Sequence, residues 1–217
     1  MQLPDPYYLL LWFIVFLFSL SVHESAHAYV SNMFGDDLGK SLGRISLNPI
    51  VHIDPYGTIL FPLASALTGI PFFGWAKPVP VNPLAWREKN KANFWTSFAG
   101  PLSNFVLAVV FFVILKIMIM TGFVMSADSG IAEPIVEIVN LGLTVNLLLG
   151  IFNLIPVPPL DGSGMLESIL PYEAQKGYEQ IRPYGFLILL ALMYFGTFRM
   201  VYRPVLAAVN YLLLLGT

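Results

Sequence analysis

Apolar residues dominate six segments of the chain, which are separated by short polar stretches. Three of these segments are long, at Tyr7–Phe34, Phe94–Val124 and Ile135–Ile155. A helix rises about 1.5 Å per residue, so each of them can cross an apolar bilayer core of about 30 Å. The pattern predicts an all-α polytopic membrane protein with about five to six transmembrane helices and one re-entrant or broken apolar segment.

Three shorter apolar segments leave the number of crossings open. Ile59–Trp75 is interrupted by Pro62, Gly69 and Pro71, so it is the segment predicted to re-enter or break. Tyr184–Phe198 and Pro204–Leu215 form either two helices that turn near Arg199 and Arg203, or one long tilted element.

The composition agrees with a membrane protein. Of the 217 residues, 57% are hydrophobic and 11% are charged, and the mean hydropathy is +0.73. The first apolar run has no preceding basic region, so we expect it to remain as a mature helix rather than to be cleaved as a signal peptide. No connection is long enough for a separate soluble domain, and residues 1–217 are predicted to form one membrane-embedded domain.

Charge and cysteine content exclude two kinds of site. The chain has no cysteine, which excludes disulfides and thiolate metal sites. A formal net charge of −2 without a basic stripe gives no sign of nucleic-acid binding.

The loop charges favour re-entry of Ile59–Trp75. If this segment crosses the membrane, the loop Lys and Arg residues divide six to four between the two sides, whereas re-entry leaves only Arg199 and Arg203 opposite eight others. The eight are Lys40, Arg44, Lys77, Arg87, Lys89, Lys91, Lys176 and Arg182. Because cytosolic loops carry the excess of positive charge, these loops are predicted to be cytosolic and the N-terminus external.

A metal-binding pattern lies at the end of the first apolar run, in the sequence His23-Glu24-Ser25-Ala26-His27. Residues four apart share a helical face, so His23 and His27 can present two imidazoles to one ion. Glu24 lies beside the pair, where it can take a proton from an attacking water. An ionisable residue at membrane depth is costly, which favours a functional role.

A third ligand is needed, because a catalytic zinc usually has three protein ligands. Asp161 follows a proline-rich break at the end of Ile135–Ile155, and the break can line a cavity at membrane depth. The alternative is that Asp161 is the N-cap of the next helix. With Ile59–Trp75 re-entrant, the first and third long helices run in the same direction, so Asp161 meets His23 and His27 at the cytosolic end.

Three motifs together resemble the site-2 protease family of intramembrane zinc metalloproteases. They are HESAH at His23–His27, FAGPLSN at Phe98–Asn104, and NLIP followed by LDG at Asn153–Gly162. The stretches Arg44–Thr58 and Trp75–Pro83 resemble the short bacterial subgroup, although Ser163 stands where the family often has a second glycine.

This resemblance implies one zinc ion per chain, held by His23, His27 and Asp161, with Glu24 as the general base. It also implies that Asn153 and Asn104 assist substrate or oxyanion binding. The implied substrate is a transmembrane protein, commonly with a single span, cleaved within or near that span. The enzyme would be a multi-pass protein of the cell membrane with its active site toward the cytosol, without a PDZ-like or CBS-like insert.

Other interpretations are a metal-ion transporter and a proteolytically silent protein that binds membrane helices. His52 can replace Asp161 as a ligand, contact substrate, or be a structural loop residue, and we favour a structural or cleft-lining role. The proline-rich stretch Trp75–Pro83 predicts extended chain, as an interfacial loop or as an edge that pairs with an unfolded substrate.

Overall fold

Every regular element in the described part of the chain is a helix, which confirms the predicted all-α class. The computed structural model describes residues 5–68, 74–126, 130 and 132–216. The α-helices in these residues are α1 (Pro6–Met33), α2 (Leu38–Ser41), α3 (Phe61–Thr68), α4 (Lys89–Met120), α5 (Ala132–Asn153), α6 (Asp161–Ile169), α7 (Tyr172–Glu179), α8 (Gly185–Tyr194) and α9 (Thr197–Leu214). Short helical turns of other types lie at Pro49–His52, Pro55–Leu60, Phe123–Ser126 and Arg182–Tyr184.

Among the described residues, three helices are long and apolar enough to cross a membrane. They are α1, α4 and α5, with 28, 32 and 22 residues. The stretch Tyr172–Tyr194 and α9 meet at 60° and give a fourth span only if they are counted together. The prediction of five to six transmembrane helices is therefore not confirmed.

α1 begins where its sequence favours a helix start. The Asp5 carboxylate accepts a hydrogen bond from the Tyr7 amide at 3.0 Å, and Pro6 occupies the first helical position, where its missing N–H is not needed. Another proline, Pro101, lies inside α4 and is buried.

α4 runs antiparallel to α5. Gly142 in α5 faces the ring of Phe111 in α4. Gly150, which comes later in α5, faces the ring of Phe105, which comes earlier in α4. The absence of a side chain at these glycines lets the two helices approach closely.

α4 is also antiparallel to α1. The Asn104 amide lies 3.4 Å from the Ser19 carbonyl oxygen, and His27, two turns later in α1, meets the Thr96 carbonyl near the beginning of α4. It follows that α1 and α5 run in the same direction. Their C-terminal ends lie at one end of the bundle, as the topology prediction requires.

The two ends of the apolar segment Ile59–Trp75 are neighbours. The Trp75 amide donates to the Gly57 carbonyl at 3.1 Å, and the Thr58 hydroxyl donates to the Trp75 carbonyl at 2.8 Å. A Cβ atom at Gly57 would overlap the Trp75 ring, so this approach requires glycine. Residues 69–73 lie outside the described residues, but the meeting of the two ends is what re-entry requires.

The C-terminal apolar segments form two helices that are bent apart rather than one long element. The turn between α8 and α9 comes at Gly196, whose φ of 71° is in the left-handed region. Arg199 and Arg203 follow this turn and lie inside α9.

Residues 74–82, here called the strap, form no helix and lead away from the apolar segment Ile59–Trp75. After the Trp75 bond to Gly57, the Lys77 amide donates to the His52 carbonyl at 2.9 Å. The buried Arg44 guanidinium donates to the Lys77 carbonyl and, at 2.7 Å, to the Val51 carbonyl. The strap is thus fixed to the loop that follows α2.

Candidate metal centre

The structure brings His23, His27 and Asp161 together. The Nε2 atoms of the two imidazoles are 3.0 Å apart, and Asp161 Oδ2 lies 3.0 Å from the first and 3.3 Å from the second. Both histidines are buried, with 4% and 9% of their surface exposed. Among the described residues, this is the cluster of His, Asp and Glu side chains whose ligand atoms could share one ion.

Asp161 Oδ2 is buried and has no hydrogen-bond partner among the described residues, although it faces two ring nitrogens. A buried carboxylate oxygen without a partner is unfavourable, and a cation would satisfy it. The donor set of two imidazoles and a carboxylate also fits zinc. The N-cap alternative is wrong, because Leu160 occupies the cap position of α6 and no side-chain capping bond is formed there.

The opposite ring nitrogens of the two histidines are both hydrogen-bonded. His27 Nδ1 lies 2.6 Å from the Thr96 carbonyl oxygen, and His23 Nδ1 lies 2.6 Å from Asn104 Oδ1. Such bonds orient an imidazole and leave Nε2 available for a metal.

Gly100 of α4 faces the Nε2 atoms of both imidazoles. A Cβ atom at this position would lie 2.5 Å from His23 Nε2 and closer still to His27 Nε2. A glycine in an apolar helix commonly serves close helix packing. In the structure it also makes room for the ligand atoms.

Glu24 faces the strap. Its Oε2 atom accepts a hydrogen bond from the Val79 amide at 3.1 Å. The Asn82 amide, farther along the strap, donates to the buried Asp36 carboxylate at 2.8 Å. The backbone of the strap therefore binds two carboxylates, that of Glu24 beside the centre and that of Asp36.

A cavity of about 570 Å³ contains the centre. Its lining includes the three candidate ligands and Glu24, together with aromatic and aliphatic side chains such as Trp75, Leu149, Phe152 and Phe186. The cavity can hold an apolar chain beside the ionisable groups.

The two predicted asparagines lie in different places. Asn153 lines the cavity, where its amide nitrogen donates to the Leu149 carbonyl at 3.0 Å. Asn104 is fully buried behind His23 and is not part of the cavity lining. Its amide nitrogen donates to Asn146 Oδ1 at 2.9 Å. Our sequence reasoning missed Asn146, although a polar residue in an apolar helix was a signal for it.

His52 lies outside the ligand cluster. Its Nε2 atom meets the Ser46 carbonyl oxygen at 2.8 Å, and the side chain is buried. Burial lowers the pKa of His52, and the nearby Arg44 charge lowers it further, against the opposing effects of the Ser46 carbonyl and Glu24. This environment agrees with the structural role that we favoured.

Comparisons with known proteins give a consistent assignment. A model of peptidase family M50 matches residues 116–196, which include Asp161. YwhC of Bacillus subtilis, named as a candidate zinc metalloprotease, is 40% identical over 179 residues, covering 82% of this chain and 78% of YwhC. No solved structure matches the chain.

Two mycobacterial relatives named Rip2, also as candidate zinc metalloproteases, are longer. The protein of Mycolicibacterium smegmatis is 33% identical over 82% of this chain, and that of Mycobacterium tuberculosis H37Rv is 28% identical over 81%. The matches cover 64% and 63% of these relatives, so the chain spans slightly less than two thirds of their length.

Proposed function

The chain belongs to peptidase family M50, the site-2 proteases, and is an intramembrane zinc metalloprotease; from this premise we propose which side chains carry out peptide-bond hydrolysis. His23, His27 and Asp161 hold one zinc ion, and Glu24 moves the protons. The observation that supports this most directly is the buried, unpartnered Asp161 Oδ2 atom, 3.0 and 3.3 Å from the two imidazoles.

A bound zinc ion supplies Lewis acidity to the attacking water and to the scissile carbonyl. Glu24 takes a proton from the water as the water oxygen bonds to the carbonyl carbon. It returns a proton to the amide nitrogen as the C–N bond breaks. The Val79 amide holds the Glu24 carboxylate in place, and Asn153 assists the developing oxyanion once its amide leaves the Leu149 carbonyl.

The substrate is a membrane protein, and we infer that it has a single transmembrane span. Helical hydrogen bonds hide its carbonyls, so a short stretch must unwind before attack. The apolar lining of the cavity accommodates such a stretch, and the strap offers an extended edge for it. The protein is multi-pass in the cell membrane, with the centre toward the cytosol, as the excess of loop Lys and Arg at that end supports.

Membership of the family favours the protease over both alternatives, the metal-ion transporter and the silent helix-binding protein. Neither alternative gives a role to a carboxylate at Glu24 beside the two histidines.

The substitution Glu24→Gln tests this proposal. We expect zinc to stay at about one ion per chain, since Glu24 is not a ligand, while cleavage falls by about 10²–10⁴-fold from loss of the general base. The measurement is cleavage of a panel of single-span proteins in proteoliposomes, with zinc content determined on the same samples.

Glu179→Gln is the matched control. Glu179 is exposed on α7, so this variant should cleave like the wild type. Unchanged cleavage by Glu24→Gln would remove this residue from the mechanism. Zinc content far below one per chain in the wild type would contradict the assigned centre.

A further inference from the structure

A buried polar network lies behind the metal centre, among the three long helices. It consists of Ser19 on α1, Asn104 on α4 and Asn146 on α5, each with no exposed surface. Polar side chains among apolar helices are unfavourable unless they are hydrogen-bonded, and here each one is.

The donor and acceptor roles in this network are fixed at Asn146, the end away from His23. One group of the Asn146 amide lies 2.8 Å from the Gly142 carbonyl oxygen. A carbonyl only accepts hydrogen bonds, so this group must be the NH₂, which also reaches Ser19 Oγ at 2.9 Å. The Asn146 oxygen is thereby turned toward Asn104.

Asn104 passes the same constraint on to His23. Its NH₂ donates to Asn146 Oδ1 at 2.9 Å, with the Ser19 carbonyl 3.4 Å away on the same side. Its oxygen then faces His23 Nδ1 at 2.6 Å. An amide oxygen only accepts, so Nδ1 of His23 carries the hydrogen and Nε2 keeps its lone pair toward Asp161.

We propose that Asn146 is a positioning residue for the metal centre: acting through Asn104, it holds His23 in the tautomer whose Nε2 can bind the ion. This inference rests on the proposed role of His23 as a zinc ligand. His27 needs no such relay, because its Nδ1 meets the Thr96 backbone carbonyl directly at 2.6 Å. One ligand is therefore oriented by backbone and the other by a chain of two side-chain amides.

The first test is the tautomer of His23 in metal-free wild-type protein, from ¹⁵N NMR in lipid at alkaline pH. The chain has only three histidines, so their signals can be assigned by substitution. We expect hydrogen on Nδ1. Hydrogen on Nε2 of His23 would overturn the proposal, whatever the variants of Asn146 show.

The second test compares Asn146→Leu with Ser21→Ala. Ser21 is also fully buried on α1 and donates to the Leu17 carbonyl at 2.7 Å, but it has no bond to the network. Without Asn146, the Asn104 amide can turn and offer its NH₂ to His23. We expect Asn146→Leu to shift the tautomer and weaken zinc binding by about 10–100-fold, measured by chelator competition, and Ser21→Ala to do neither.

A rescue distinguishes positioning from packing. In the Asn146→Leu background, the further change Asn104→Asp presents only acceptor oxygens to His23, so the Nδ1–H tautomer and zinc affinity should recover. Failure to recover, or an equal loss of affinity in Ser21→Ala, would show a merely structural role. If the wild type bound no zinc, the proposed function would fail, while the tautomer measurements would still decide whether Asn146 orients His23.

Discussion

At the scale of single residues, Gly100 leaves the space that the two imidazoles occupy. We expect Gly100→Ala to weaken zinc binding by about 10–100-fold, because a Cβ atom there must push against both Nε2 atoms at a strain of about 1–3 kcal/mol. Gly177→Ala is the control, since a Cβ atom there meets nothing within 4 Å. Zinc titration of both variants checks this, and equal affinities would contradict it.

Local spacing in the sequence was enough to predict the two histidines of the site. The four-residue separation of His23 and His27 was enough to place both imidazoles on one face. Asn104 was predicted to assist catalysis, but the structure places its side chain behind His23. Sequence spacing defines a helical face and cannot say which neighbouring helix covers it, and for the same reason Asn146 was missed.

At the scale of elements, Asp36 fixes one end of the strap. Its carboxylate accepts hydrogen bonds from the Asn82 amide at 2.8 Å, the Ser31 hydroxyl at 2.9 Å and the Leu38 amide at 3.0 Å. Burial acts to raise the pKa of Asp36, but these hydrogen bonds outweigh it and the pKa lies below 3.8.

This pKa gives a pH-dependent contribution to stability. Because the pKa is lower in the folded chain than in the unfolded chain, the ionised Asp36 stabilises the fold above about pH 4, and this is lost as the pH falls further. We expect Asp36→Asn to lower the free energy of unfolding by about 1–3 kcal/mol at pH 7, and the difference from wild type to shrink below pH 4.

The measurement is denaturant unfolding in detergent with a chelator present, so that loss of zinc in acid does not contribute. Asp37→Asn serves as control, since Asp37 is exposed and adjacent. The role of Asp36 would be contradicted if the free energies of unfolding of wild type and Asp36→Asn differed by the same amount from pH 7 to pH 3.

The short apolar elements could be predicted only in part. A glycine and prolines within Ile59–Trp75 indicated that it would not cross, and the meeting of Gly57 with Trp75 agrees. The C-terminal apolar segments were predicted to form either two helices that turn near Arg199 and Arg203 or one long element. The structure has two helices, and the turn lies at Gly196, just before these arginines.

At the scale of the whole molecule, the parallel course of α1 and α5 brings the two motifs together across more than a hundred residues. This was predicted from loop charges and from the need for a third ligand. Helix count was less well predicted, since apolar length alone does not distinguish a crossing from a short buried or interfacial helix.

The orientation of the bundle can be measured because the chain has no cysteine. We expect a single cysteine in Glu133→Cys, at the start of α5, to react with a membrane-impermeant maleimide in intact cells. A cysteine in Lys91→Cys, at the start of α4, should react only after permeabilisation. Both side chains are exposed. The reverse labelling would place the centre on the external side.

The strap has one further consequence, which follows from its prolines. Trp75, Lys77 and Val79 turn their N–H groups inward, and neighbouring residues of an extended chain point to opposite sides. The outward positions include Pro78 and Pro80, which have no N–H to offer. Because Pro78 and Pro80 offer carbonyls but no N–H groups, pairing of two copies of the protein along this edge is disfavoured. A peptide that carries its own N–H groups can pair with these carbonyls, so we expect the edge to receive a foreign chain more readily than a second copy of the protein.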